Sequence, residues 1–206
     1  MQQFDITVKI GGEAGQGVES SGAGFVKALS RGGVHVFGNS DYMSRIRGGY
    51  NFFQIRASSE PIFCHSDEVH LLLALNGEAI TQHKDEMVKG GAIIYDEDLK
   101  IDADSLRARG IILCPMPLVK MAYASGADRI MANTAAIGTA VGVTEYEFER
   151  IAEVIRQNFR RKGDKVVENN LKLARSDYDI AKEKYAKSKS IFCSIQTFKT
   201  KIKLLS

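Results

Sequence analysis

Tryptophan is absent from the 206 residues, and proline and cysteine each occur only three times. The cysteines, Cys64, Cys114 and Cys193, lie far apart and form no C-x-x-C pair. That excludes a zinc ribbon or an iron–sulfur cluster held by this chain alone. Free cysteine usually packs as a small hydrophobe, so each is expected as a buried, reduced thiol in a reducing cytoplasm. No apolar run approaches the roughly 20 residues of a membrane span. Residues 1–12 (MQQFDITVKIGG) lack the basic-then-apolar order of a signal peptide. There is no H-E-x-x-H motif and no Ser/His/Asp set. The histidines at 35, 65, 70 and 83 are scattered, and His65 and His70 are spaced too widely for one helical face. No catalytic side chain and no metal ligand is therefore expected.

What is present suits a globular chain: 44% hydrophobic and 26% charged residues are enough to form and solvate a sizeable core. The net charge of +3 is unevenly spread. From Lys182 onward there are seven lysines, no arginine and one acid, Glu183, which leaves 21 basic and 24 acidic residues before them. A mildly acidic body is not that of a nucleic-acid binder, and no nucleic-acid or membrane partner is expected.

Residues 4–10 alternate with β-branched side chains and read as a first strand, ending at Gly11-Gly12. Residues 18–30 carry Gly22, Phe25, Val26 and Leu29 at helical spacing and stop at Arg31-Gly32-Gly33. A short strand around Val34, Val36 and Phe37 follows, giving a β-turn-α-β unit of the kind that builds a parallel sheet. Further strands are expected at 50–57, 69–75, 92–95 and 111–114, and helices at 77–88, 117–124, 131–141 and 145–159. Residues 165–187 form a charged, Ala-containing helix expected to pack less deeply, and 190–206 show no clear period.

Two segments could carry chemistry. In Gly11 through Gly17 (GGEAGQG), glycines at the mouth of a helix free backbone N–H groups to face a phosphate or carboxylate. The order G-x-x-G-x-G is neither the dinucleotide fingerprint nor a P-loop. The bland reading is a tight strand-to-helix turn with no ligand. The second segment, residues 38–50 (GNSDYMSRIRGGY), places Asn39, Ser40, Arg45, Arg47, Gly48 and Gly49 between two strands, at the sheet edge where α/β ligands bind. Its arginines could fork onto phosphate or an acidic surface, or belong to a solvated loop. Asn133-Thr134 opens the small-residue helix and could line a site, but reads first as an N-cap.

Residues 10–17 (IGGEAGQG), 44–50 (SRIRGGY), 55–62 (IRASSEPI) and 133–142 (NTAAIGTAVG), with the 165–185 helix, together resemble the gamma subunit or domain of 2-oxoacid:ferredoxin oxidoreductases. The resemblance covers roughly residues 3–185. It implies a Rossmann-like α/β domain with a mostly parallel sheet, flanking helices and a C-terminal helical extension. The implied units are a gamma-type domain at 1–162, a helical linker at 163–189 and a basic tail at 190–206. It also implies a complex in which alpha and beta subunits carry thiamine diphosphate and iron–sulfur clusters, and ferredoxin is reached through the complex. The gamma part packs on alpha and is associated with coenzyme A. On that reading Gly12, Gly15, Gln16, Gly17, Asn39, Ser40, Arg45, Arg47, Gly48 and Gly49 would contact coenzyme A or alpha. Many relatives fuse this domain to a following alpha domain. The chain is then either a free gamma subunit or a gamma–alpha fusion cut at the boundary, and the lysine-rich tail favours the second. The alternative is a stand-alone phosphate- or nucleotide-binding regulatory or assembly module.

Overall fold

The computed structural model describes residues 4–42, 49–124 and 131–185. In chain order its elements are β1 (Asp5–Glu13), α1 (Val18–Arg31), β2 (His35–Tyr42), β3 (Tyr50–Ser58), β4 (Val69–Ala74), α2 (Gly77–His83) and β5 (Met87–Asp96). They continue with α3 (Ala103–Ala108), β6 (Ile112–Met116), α4 (Leu118–Ala124), α5 (Ala132–Val143), α6 (Phe148–Phe159) and α7 (Asp164–Tyr185). The strands form one sheet in the order β2-β3-β1-β4-β5-β6.

Alternation along β1 explains the layers. Ile6, Val8 and Ile10 face the larger core with α1, α4, α5, α6 and α7, whereas Thr7 and Lys9 face the other side. β4 is apolar on both faces: Leu71 and Leu73 join the larger core, and Leu72 and Ala74 join a smaller one with α2 and α3. Each fully buried leucine or isoleucine contributes about 1.5–3 kcal/mol relative to exposure.

β1, β4, β5 and β6 pair in parallel, but β3 lies antiparallel between β1 and β2. The first β-α-β unit is therefore not a pair of adjacent parallel strands. The chain turns back after β2 as a hairpin, and β3 takes the place beside β1. β1 also runs on through Gly11 and Gly12 to Glu13, because both glycines stay in register with β3, opposite Phe52 and Asn51. α3 was not apparent in the sequence; Asp102 caps it by accepting from Ser105 N–H at 3.2 Å.

α7 packs more deeply than its charged sequence suggests. Leu173, Ala174, Tyr178, Ala181 and Tyr185 are buried in the larger core. α5 is buried at every position from Thr134 to Val143, and its Gly138 and Gly142 let α7 come within backbone contact. A Cβ on Gly142 would lie 2.5 Å from the Tyr178 carbonyl oxygen. Asp177 of α7 is fully buried, and both carboxylate oxygens lack a hydrogen-bond partner among the described residues. Burial pushes its pKa up to about 7. Thr139 of α5 is likewise buried, its hydroxyl without a partner among the described residues.

Cys114 is buried, and burial pushes its thiol up to about 12. Cys64 is exposed, contrary to expectation, because it sits in the open connection from β3 to β4. Cys193 and the 190–206 tail lie outside the described residues.

Candidate anion-binding crevice

The chain leaves β1 towards β2 and β3 on one side and returns to β4 on the other. The carboxyl ends of β1 and β4 thus flank a topological switch point, where open α/β sheets hold their ligands. A crevice of about 240 Å³ lies there, lined by Glu13, Gly15, Gln16, Leu75, Val119, Ala132 and Asn133.

Each wall has a local cause. Gly15 (φ 92°) and Gly17 (φ 77°) occupy the left-handed region that favours glycine and turn the chain from β1 into α1. Gly17 is the N-cap of α1 and offers no side chain to its first N–H groups, which leaves a positive helix end at the crevice. Gln16 braces the turn: its Oε1 accepts from Glu13 N–H at 2.6 Å, and its Nε2 donates to the Leu75 carbonyl at 3.3 Å. Gly12 leaves room for that brace, since a Cβ there would lie 2.7 Å from Gln16 Oε1. Gly49 joins the turn by accepting from Ala14 N–H at 3.0 Å.

Asn133 does not cap α5; Met131 holds the N-cap position. The Asn133 carboxamide instead packs against Gly17 and lines the crevice. Thr134 turns away and donates to Asn170 Oδ1 at 3.0 Å. Asp96, at the end of β5, accepts from Val119 N–H at 2.8 Å and from Asp98 N–H at 3.0 Å, which fixes the start of α4 beside the crevice. The visible hint of that role was an acid closing an apolar strand some twenty residues before a Pro-led helix.

The predicted residues divide accordingly. Gly12, Gly15, Gln16, Gly17 and Gly49 come together at the turn. Asn39 and Ser40 belong to the exposed edge strand β2, opposite Gln54 and Phe53, two strands away from β1. Polar residues on an exposed edge had the look of a loop. Arg45, Arg47 and Gly48 lie outside the described residues.

Under the turn, on the sheet face away from α1, sits a buried polar group that the sequence did not reveal. Lys9 Nζ lies 2.5 Å from Glu86 Oε2, 3.4 Å from His83 Nδ1 and 4.5 Å from the centre of the Phe52 ring. His83 Nδ1 lies 3.0 Å from Glu86 Oε2, while its Nε2 is buried without a partner among the described residues. Burial first, and the Lys9 cation second, lower the His83 pKa, against the opposing pull of Glu86. The Tyr50 phenol fills the space over Gly11 and has no hydrogen-bond partner among the described residues; burial raises its pKa. Only glycine at 11 accommodates that phenol.

Fold and crevice define an α/β domain of the ligand-binding, switch-point type, with an uncapped helix end as its principal polar feature. Residues 7–180 match the family described as Pyruvate ferredoxin/flavodoxin oxidoreductase. The chain belongs to that family.

It is similar to the ketoisovalerate oxidoreductase subunit VorA of Methanothermobacter thermautotrophicus, at 30% identity over 183 residues, covering 87% of this chain and 37% of that one. The 2-oxoglutarate synthase subunit KorC of the same organism is 28% identical over 151 residues, covering 71% of this chain and 80% of that one. Among solved structures, 2-oxoglutarate:ferredoxin oxidoreductase from Magnetococcus marinus, with 2-oxoglutarate, coenzyme A and succinyl-CoA bound, gives a TM-score of 0.81 at 30% identity. That likeness covers 88% of this chain and 32% of the other. The gamma subunit of a keto/oxoacid ferredoxin oxidoreductase from Geobacter sulfurreducens shares the fold, with a TM-score of 0.69, 23% identity, and coverage of 85% and 98%. The chain spans 37% of VorA, the first of these relatives.

Proposed function

We propose that the chain is the gamma-type component of a 2-oxoacid:ferredoxin oxidoreductase, and that its crevice receives the phosphate-bearing end of coenzyme A. The observation that carries the first part is the family match over residues 7–180, which takes in all of the sheet but the first two residues of β1, and most of α7. In such an assembly alpha and beta subunits would hold thiamine diphosphate and iron–sulfur clusters, and ferredoxin would take the electrons. When bound, coenzyme A supplies the thiol that accepts the acyl group.

The residues of the crevice fit a phosphate. The crevice has room for one, the α1 N-terminus has no side-chain cap, and the Asn133 carboxamide stands against it. Glu13 on the rim opposes an anion, so positive charge must come from elsewhere. Arg45 and Arg47 are suited to supply it, since they precede Gly49, which is anchored to the turn by its bond from Ala14. Gly12, Gly15, Gln16 and Gly17 shape the turn in this reading, and Asn39 and Ser40 have no part in it.

Asn133→Ala and Arg47→Ala in the assembled complex test the placement. Each removes one hydrogen bond to a charged group, and the expected KM for coenzyme A rises about tenfold. The KM for the 2-oxoacid should stay unchanged. An unchanged coenzyme A KM in both variants refutes the placement.

A further inference from the structure

The two edges of the sheet are treated differently. β6 is short, contains Pro115, and has that residue's carbonyl held by Lys184 Nζ at 3.0 Å and Tyr185 Oη at 2.7 Å. β2 is eight residues long, runs in unbroken register with β3 from His35 to Tyr42, and has no partner on its outer side among the described residues. It carries no proline, lysine or bulge, the usual devices that keep a free edge from pairing. Its residues are exposed or half-buried throughout.

We propose that β2 pairs antiparallel with β2 of a second copy of this chain, about a two-fold axis through Gly38. In an antiparallel ladder, facing residues must both point their backbone groups across the gap or both point them away. For two identical strands this permits only registers whose facing residue numbers add to an even value. Two such registers, centred on Gly38 and on Asn39, pair seven residues of the strand. Centring on Asn39 puts Asp41 against Phe37, whereas centring on Gly38 puts His35 against Asp41 twice over. Gly38 looks towards Phe53 and Val26 of α1, so His35, Phe37, Asn39 and Asp41 project from the face opposite α1. The two imidazole–carboxylate contacts are thus made clear of α1. The partner is a second copy because the reversed strand sets its own imidazole donor against its own carboxylate at both ends, as an isologous interface requires.

The test uses the full chain by itself, with no oxidoreductase assay, so its outcome is independent of the proposed function. Sedimentation equilibrium of the wild type should show a dimer. His35→Asp places a carboxylate opposite each Asp41 and should weaken the dimer about tenfold. The charge-swapped double variant His35→Asp with Asp41→His should restore it. The double variant His35→Cys with Asp41→Cys should become a covalent dimer under mild oxidation, while neither single variant does. A chain that stays monomeric leaves the edge to some other strand and overturns the proposal. A dimer indifferent to His35→Asp, or one that the cysteine pair fails to cross-link, overturns it equally.

Discussion

Replacing Asp177 with Asn isolates the most costly group in the core. The carboxyl is fully buried on α7, makes no hydrogen bond among the described residues, and has its pKa lifted from 3.8 to about 7 by desolvation. The folded chain therefore keeps a proton that the unfolded chain releases above about pH 4. Stability falls as pH rises through that window and levels off once the folded carboxyl has ionised, near pH 7. A shift of roughly three units corresponds to about 4 kcal/mol, or about 8–16 °C in Tm for a chain of this size. Thermal unfolding of the wild type and Asp177→Asn, followed by circular dichroism from pH 4.5 to 8, reads this directly. Other carboxylates contribute to both curves alike, so the informative quantity is the difference between them. The variant should gain on the wild type steadily up to neutral pH and hold a constant advantage above it. A difference that does not change with pH would refute the reasoning.

Three further outcomes follow from particular contacts. Gly17→Ala should cost more than Gly15→Ala in urea denaturation: both have positive φ, but a methyl at 17 also meets Asn133, while the space around 15 is open. About 1 kcal/mol is expected at position 15 and at least twice that at 17. Lys9→Met leaves Glu86 and His83 without their cation. The loss should fall near or below the lower end of the about 3–5 kcal/mol typical of a broken buried pair, because Glu86 is 35% exposed. Gly138→Val drives a side chain into the Ala174 backbone and should separate α5 from α7. Amide exchange protection should fall first in those two helices, whereas uniform loss across the sheet would contradict the assignment of that contact.

Much of the fold was legible because it is written in local periodicity. β1, β4, α5 and α6 follow from alternation, from continuous apolar runs or from helical spacing, and the glycine turn follows from its residues alone. The insertion of β3 between β1 and β2 was not legible, since nothing within β3 states which neighbour it takes or in which direction. The burial of Lys9 escaped for a similar reason: Glu86, the group that makes it tolerable, lies 77 residues away in the chain. Asn39 and Ser40 were misplaced because an exposed edge strand can be as polar as a loop. Asn133 was read as a cap because the sequence does not disclose that Gly17 packs against it. The overlooked depth of α7 has the clearest cause. Apart from Asp177, its charges occupy the outer face, and the inner face is held by the two glycines of a different helix.

The central claim is that this chain works within a 2-oxoacid oxidoreductase and supplies its crevice to coenzyme A. The most direct measurement is reduction of a low-potential electron acceptor by the complex recovered with the tagged full chain from its native source. The account predicts activity that requires both a 2-oxoacid and coenzyme A, with acyl-CoA formed in step with acceptor reduction. Recovery of the chain without partner subunits and without such activity would contradict it.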